Sequence, residues 1–135
     1  MAEMVKDVLN LFNDPEASKV MASVDKGGTL NIVPKGSLSA IDGETIAYAE
    51  IVGGKTKENL ESTGKAAVTV FKMGMPPTGY QVKGTFQGFQ TSGALFDKFA
   101  GMIKEMIKVD IKGVGTIKVD GVYAVSPAEA GKKLA

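Results

Sequence analysis

Thr45-Ile46-Ala47-Tyr48-Ala49-Glu50-Ile51-Val52 runs directly into Gly53-Gly54-Lys55-Thr56-Lys57-Glu58-Asn59-Leu60. The first eight residues form an apolar run of strand length. The next eight open a short polar helix that ends near Gly64. Two adjacent glycines let the backbone approach a ligand with no side chain in the way. The helix start adds unpaired N–H groups and the positive end of the helix dipole. Lys55 and Lys57 bring formal charge, and Thr56 brings a hydroxyl. Together they suit a phosphate. The spacing is not that of a P-loop, Gly-x-x-x-x-Gly-Lys-Ser/Thr, and a strand-to-helix turn carrying solvated lysines would read the same way.

Working outward, the flanking segments read as strands joined by tight turns. Upstream, Val5, Val8, Leu9 and Phe12 fall at helical spacing ahead of Pro15. Lys19–Asp25 alternates, with Val20, Ala22 and Val24 on one face, as in a half-buried strand. Gly27-Gly28 signals a hairpin into a strand over Thr29–Val33. Pro34-Lys35-Gly36 interrupts that strand. Ser37–Ile41 resumes it, and Asp42-Gly43 turns the chain back into Thr45–Val52. Downstream, Ala66–Phe71 is a Val-rich strand and Met73–Thr78 a loop. Gly79–Gln90 is a strand with bends expected at Gly84 and Gly88.

Ser92 is placed to cap a longer helix whose stripe, Leu95, Phe96, Phe99, Met102, Ile103, Met106 and Ile107, suits core or dimer packing. Val114–Val125 is the last strand, and the tail from Ser126 is expected to dock loosely. Six or seven strands linked mostly by hairpins pair antiparallel. Helices inserted between them argue for a small, partly closed barrel rather than a doubly wound sheet. The expected class is mainly β with added α: an antiparallel split β-barrel of six to seven strands with flanking helices, one domain over residues 1–135.

Composition narrows the chemistry. The 135 residues are 44% hydrophobic and 23% charged, with a net charge of +1. That charge makes no general case for nucleic-acid or membrane binding, so any anion site must be local. There is no cysteine and no histidine. Disulfides, thiolate nucleophiles, cysteine-bound metals, a Ser-His-Asp triad and histidine-ligated metal or haem are therefore excluded. No metal site is expected, and any redox chemistry needs a bound organic cofactor. No apolar run approaches the ~20 residues of a membrane span and no signal peptide is visible, so a cytoplasmic location is expected.

Three blocks carry a family resemblance: Asn31-Ile32-Val33-Pro34-Lys35-Gly36, Gly54-Lys55-Thr56-Lys57-Glu58-Asn59-Leu60 and Gly79-Tyr80-Gln81-Val82-Lys83-Gly84. With the ending Val122-Tyr123-Ala124-Val125-Ser126-Pro127, their order and spacing resemble the FMN-binding split β-barrel family, which includes pyridoxamine 5′-phosphate oxidase and its smaller relatives. The resemblance implies a homodimer with FMN in clefts at the subunit interface. It implies that Gly54, Lys55 and Thr56 hold the phosphate, where the oxidases carry Ser-Arg-Lys, with Asn59 in the same block. Val33, Pro34, Lys35, Gly36 and Ser37 match the strand lying against the flavin ring and ribityl chain. Ala49, Glu50 and Ile51 match the strand edge before the phosphate loop. Gln81 and Lys83 sit on a strand that in relatives lies near the flavin or the dimer interface.

One departure bears on activity. The oxidases carry an Arg-x-His pattern near the C-terminus for their vitamin B6 substrate, and this chain has no histidine. An FMN-dependent oxidoreductase or electron carrier acting on something other than vitamin B6 is therefore expected. A split barrel using the deazaflavin F420, with Lys35, Lys55, Lys57 and Lys83 forming a basic groove, is the first alternative. A barrel that has lost its cofactor and serves as a binding or structural protein is the second. Single residues stay open at this level. Lys35 reads as a phosphate contact or a solvated lysine. Glu50 reads as an acceptor for ribityl hydroxyls or an exposed strand-end carboxylate. Lys83 reads as a ligand or half of a cross-strand ion pair. Tyr80 reads as a stacking partner of the flavin or as interface filling. The catalytic residues are not readable.

Overall fold

Hairpin turns dictate antiparallel neighbours, and the computed structural model, which describes residues 2–135, has no parallel pairing among its strands. In chain order the elements are α1 (Lys6–Phe12), β1 (Ser18–Val24), β2 (Leu30–Pro34), β3 (Ser39–Ala40), β4 (Thr45–Glu50), α2 (Lys55–Thr63), β5 (Lys65–Lys72), β6 (Thr78–Gln90), α3 (Ala94–Ile107) and β7 (Gly113–Ala124). A single 3₁₀ turn, Pro127–Glu129, follows. The sheet has seven strands in the order β2-β1-β5-β6-β7-β4-β3. It curls into a half-barrel, and its two edge strands, β2 and β3, are successive in sequence, joined only by residues 35–38.

Local chemistry sets the turns. At the β1–β2 hairpin the Asp25 Oδ1 accepts from the N–H groups of Gly27 and Thr29, each at 2.9 Å, a side chain closing a backbone turn. At the β3–β4 hairpin Asp42 does the same for the Glu44 N–H at 2.8 Å. The curl depends on a register shift in β6 between Lys83 and Gly84. A Cβ on Gly84 would come within 2.5 Å of the Lys118 carbonyl and of Ile117, so only glycine allows this approach.

The core fills the inside of the curl. Met21, Ile46, Tyr48, Val68, Val70, Val82, Ile117 and Val122 come from the strands. Val8 and Phe12 of α1 and Leu60 of α2 pack onto the same cluster. Each such side chain contributes about 1.5–3 kcal/mol by leaving water. Helix α3 lies on the opposite surface of β4 and β7, with Phe99 and Ile103 against Ala47, Ala49, Ile111 and Val114. Met106 and Ile107, the end of its apolar stripe, stay exposed.

Several expectations shift. The strand expected over Ser37–Ile41 shrinks to Ser39–Ala40, because 35–38 is a turn closed by a Leu38 N–H to Lys35 carbonyl bond of 3.2 Å. Strand β4 stops at Glu50 rather than Val52. Ser92 does not cap α3; the N-cap is Gly93, with no side-chain cap bond. The tail is not loose: the Leu134 N–H reaches the Val122 carbonyl at 2.7 Å, and Lys133 bridges to Tyr123. On β1 the core face carries Met21 and Ser23, while Val20, Ala22 and Val24 face the other way, half-buried. Among the described residues no helix is long and apolar enough to cross a membrane.

Candidate functional site

The segment joining the two edge strands forms one wall of a cleft of about 640 Å³. Pro34, Lys35, Gly36 and Ser37 supply that wall. Ala49, Glu50 and Ile51, from the end of β4, face it, and the last turns of α3, with Met102 and Met106, add an apolar side. Seven of the sequence-derived candidates thus converge here. The Ser37 hydroxyl oxygen accepts from the Ala49 N–H at 2.9 Å and ties the two walls together. The Lys35 ammonium lies 5.2 Å from the centre of the Tyr48 ring, a cation–π arrangement rather than a freely solvated lysine. Val33 sits just before this wall on the inward side of β2, paired across to Met21.

Two polar atoms near the cleft are buried without a partner among the described residues: the Tyr48 hydroxyl and Oε1 of Glu50. Glu50 is 2% exposed, so it is not the exposed strand-end carboxylate that the sequence left open. Its Oε2 accepts from the Gly53 N–H at 3.0 Å. An unsatisfied buried carboxylate oxygen costs at least ~1–3 kcal/mol, a cost that any hydroxyl, amine or water donor would relieve. Burial, with Glu50 next, pushes the Tyr48 hydroxyl's pKa well above its ordinary value. Lys19, unassigned by sequence reasoning, also lines the cleft; its Nζ donates to the Leu38 carbonyl at 2.7 Å, and burial lowers its pKa.

Beyond Gly53 the chain enters the start of α2. Gly54 is the N-cap, at φ +100°, and no side chain caps the helix. A Cβ at Gly54 would meet nothing within 4 Å, so the space before the helix is open. Lys55 Nζ lies 3.7 Å from Asp25 Oδ2, and Lys57 Nζ lies 3.0 Å from Glu61 Oε1. The buried Thr56 hydroxyl accepts from the Asn31 side-chain amide at 3.1 Å. Asn59 is buried and donates to the Ser23 hydroxyl at 3.1 Å, a bond that locks α2 onto β1.

Gln81 and Lys83 do not join either place within one chain. They stand on the outward face of β6, with Lys83 Nζ 4.7 Å over the Tyr123 ring. The register carries that face across the sheet: Lys83 is level with Ala67, Ala67 with Ala22, and Ala22 with Ile32. Ile32 and Leu30 are 67% and 79% exposed. Tyr80 points inward instead and packs against the main core. Sequence reasoning missed Asp25 and Asn31 as neighbours of the helix start; Asn31 stood in a recognised block, but nothing local to Asp25 signals Lys55.

The family model for pyridoxamine 5′-phosphate oxidase matches residues 5–130. No curated protein matched. Among solved structures, HupZ of Group A Streptococcus is 28% identical, with 95% of this chain and 98% of that chain covered and a TM-score of 0.80. An FMN-binding protein from Syntrophomonas wolfei subsp. wolfei is 24% identical over 88% of this chain and 84% of that chain, with a TM-score of 0.80. An F420 reductase is 16% identical over 88% of this chain and 98% of that chain, with a TM-score of 0.67. The last two are likenesses of fold.

Proposed function

The chain belongs to the pyridoxamine 5′-phosphate oxidase family, and from that premise we propose that residues 1–135 act as one FMN-binding domain, a flavin-dependent oxidoreductase or electron carrier. The observation that carries this reading is the unpartnered, buried Glu50 oxygen at a cleft that leads through Gly53 to an open helix N-terminus. In this reading the walls from Pro34–Ser37 and Ala49–Ile51 hold the flavin ring and ribityl chain. Glu50 Oε1 accepts a ribityl hydroxyl. Lys55, the Thr56 hydroxyl and the free N–H groups of the first turn of α2 hold the phosphate. When bound, FMN supplies hydride or single-electron transfer. The chain's own residues bind it, orient it and keep water from one side through the Met102 and Met106 wall.

The charges at the helix start favour FMN over F420. Lys55 is matched by Asp25 and Lys57 by Glu61, so the region offers no broad basic groove for an acidic cofactor tail. Vitamin B6 oxidation is not the proposed reaction: the chain has neither arginine nor histidine, so an Arg-x-His substrate pattern cannot be built. We expect no FMN-dependent formation of pyridoxal 5′-phosphate from pyridoxamine or pyridoxine 5′-phosphate, followed by product absorbance.

A second copy of the chain is proposed to cover the outward face that carries Leu30, Ile32, Ala22, Ala67, Gln81 and Lys83. On β1 this outward side is the more apolar of the two, which suits a covered interface better than solvent. Its closure would bring Gln81 and Lys83 of one protomer toward the flavin region of its partner. The proposed location is the cytoplasm. The visible spectrum of the purified protein tests the cofactor: a flavin doublet and released FMN by mass are expected. A single near-violet band would indicate F420, and a colourless protein that takes up no added FMN would end the reading.

A further inference from the structure

The cation best placed to meet a phosphate at α2 is already occupied. Asp25 belongs to the β1–β2 hairpin, far along the chain from Lys55, yet its Oδ2 stands 3.7 Å from Lys55 Nζ. Its other oxygen, Oδ1, is engaged by the Gly27 and Thr29 N–H groups. The two oxygens thus have separate tasks: one closes the turn, the other faces the helix start. The Thr29 N–H, with help from Gly27 and Lys55, holds the Asp25 carboxyl below its ordinary pKa, so the group is anionic near neutral pH. We propose that Asp25 is a built-in counter-anion for Lys55, which a ligand phosphate must displace or tolerate, and that it limits the affinity of the site for phosphorylated flavin.

This inference rests on the phosphate-seat reading above. Two features of the geometry support it. The pair is partly solvent-exposed, with Lys55 and Asp25 side chains 54% and 26% accessible. Such pairs contribute little to stability, so the contact is exchangeable rather than structural. Glu50, which ends β4 and bonds the Gly53 N–H just before the helix, also keeps one buried oxygen without a partner among the described residues. A carboxylate 3.7 Å from Lys55 offsets part of the charge that an incoming dianion would meet. In partly aqueous surroundings that competition for Lys55 corresponds to about a three- to tenfold loss of affinity.

Asp25→Asn separates the two tasks, because the amide oxygen can still accept from Gly27 and Thr29 while the charge facing Lys55 is gone. Titration of flavin fluorescence with wild type and Asp25→Asn, using FMN and riboflavin as probes, reads the effect. FMN should bind about three- to tenfold more tightly to Asp25→Asn, riboflavin should be unchanged, and the gain should shrink in high salt. In a Lys55→Gln background most of the gain should vanish. Unchanged or weaker FMN binding by a folded Asp25→Asn protein overturns the proposal, as does an equal gain in the Lys55→Gln background. Wild-type protein that binds riboflavin and FMN equally removes the phosphate seat and this inference with it. Protein that binds neither overturns the flavin reading as a whole.

Discussion

The cleft and the start of α2 are neighbours joined by Gly53, but they are finished to different degrees. At the helix start the side chains are satisfied from within: Lys55 by Asp25, Lys57 by Glu61, Thr56 by Asn31 and Asn59 by Ser23. In the cleft, Glu50 keeps a buried oxygen without a partner and the far wall is apolar. If both places hold one flavin, as proposed, this difference gives them different shares in binding it. In the proposed reading the helix start would exchange one set of ionic contacts for another, and so would discriminate between ligands by phosphate. In the same reading the cleft would gain contacts it lacks, whichever ligand brings the right ring and hydroxyls.

The largest expected effect is at the proposed subunit contact. Ile32→Lys places a charge on the outward face of β2, and sedimentation at micromolar concentration should show a monomer where the proposed assembly makes the wild type a dimer. An interface of this kind should bury more than ~1,000 Å² in total. If the partner completes the cleft, the monomer should lose riboflavin and FMN affinity alike. A wild-type monomer that retains FMN would sink the assembly reading.

Lys55→Ala then probes the helix start. Loss of a charge-assisted contact of about 1.5–3 kcal/mol should weaken FMN about 10- to 150-fold, with little change for riboflavin. Equal weakening of both would mean that Lys55 does not meet the phosphate. Glu50→Gln gives the opposite pattern. The amide oxygen stays on the Gly53 N–H and the charged acceptor toward the ribityl hydroxyl becomes a neutral N–H₂, so FMN and riboflavin should weaken together, by about tenfold, on the scale of one charged hydrogen bond. Selective loss of FMN would move Glu50 to the phosphate end.

The smallest effect comes from Asp14, which lines the cleft beside Pro15 and is read through stability rather than binding. Asp14 pairs with Lys72 at 2.9 Å, and the Glu16 N–H together with Lys72 holds its carboxyl below the ordinary value of 3.8. A lowered carboxylate pKa stabilises the fold above the unfolded value, and that contribution is lost as pH falls through the native one. The thermal-stability gap between wild type and Asp14→Asn should be constant from neutral pH to about pH 4 and close below it. A gap that widens on acidification would contradict the sign.

Much of this was legible in the sequence because its causes are local. Asp42-Gly43 and Gly27-Gly28 make turns wherever they occur, the strand-to-helix switch after Val52 is a change of period, and the absence of histidine and cysteine removes whole chemistries. The blocks at Asn31, Gly54 and Gly79 carried the family. The inward side of β1 was harder. Val20, Ala22 and Val24 are more apolar than Lys19, Met21 and Ser23, yet the second set faces the core. Ser23 is tolerated there because Asn59 bonds it, a partner from another element.

By itself, then, the sequence determined the order of strands and helices, the hairpins, the need for an organic cofactor in any redox role, and the Gly-Gly-Lys-Thr helix start. Those depend on neighbours a few residues apart, where backbone geometry and composition act directly. Only the tertiary structure decided which residues share a site. Curling the sheet brings the 34–37 segment beside the end of β4, sends Gln81 and Lys83 to the outer face, buries Glu50 with one oxygen free, and sets Asp25 against Lys55. These are long-range juxtapositions, created when strands distant in sequence pair and the sheet bends, and no periodicity along the chain records them.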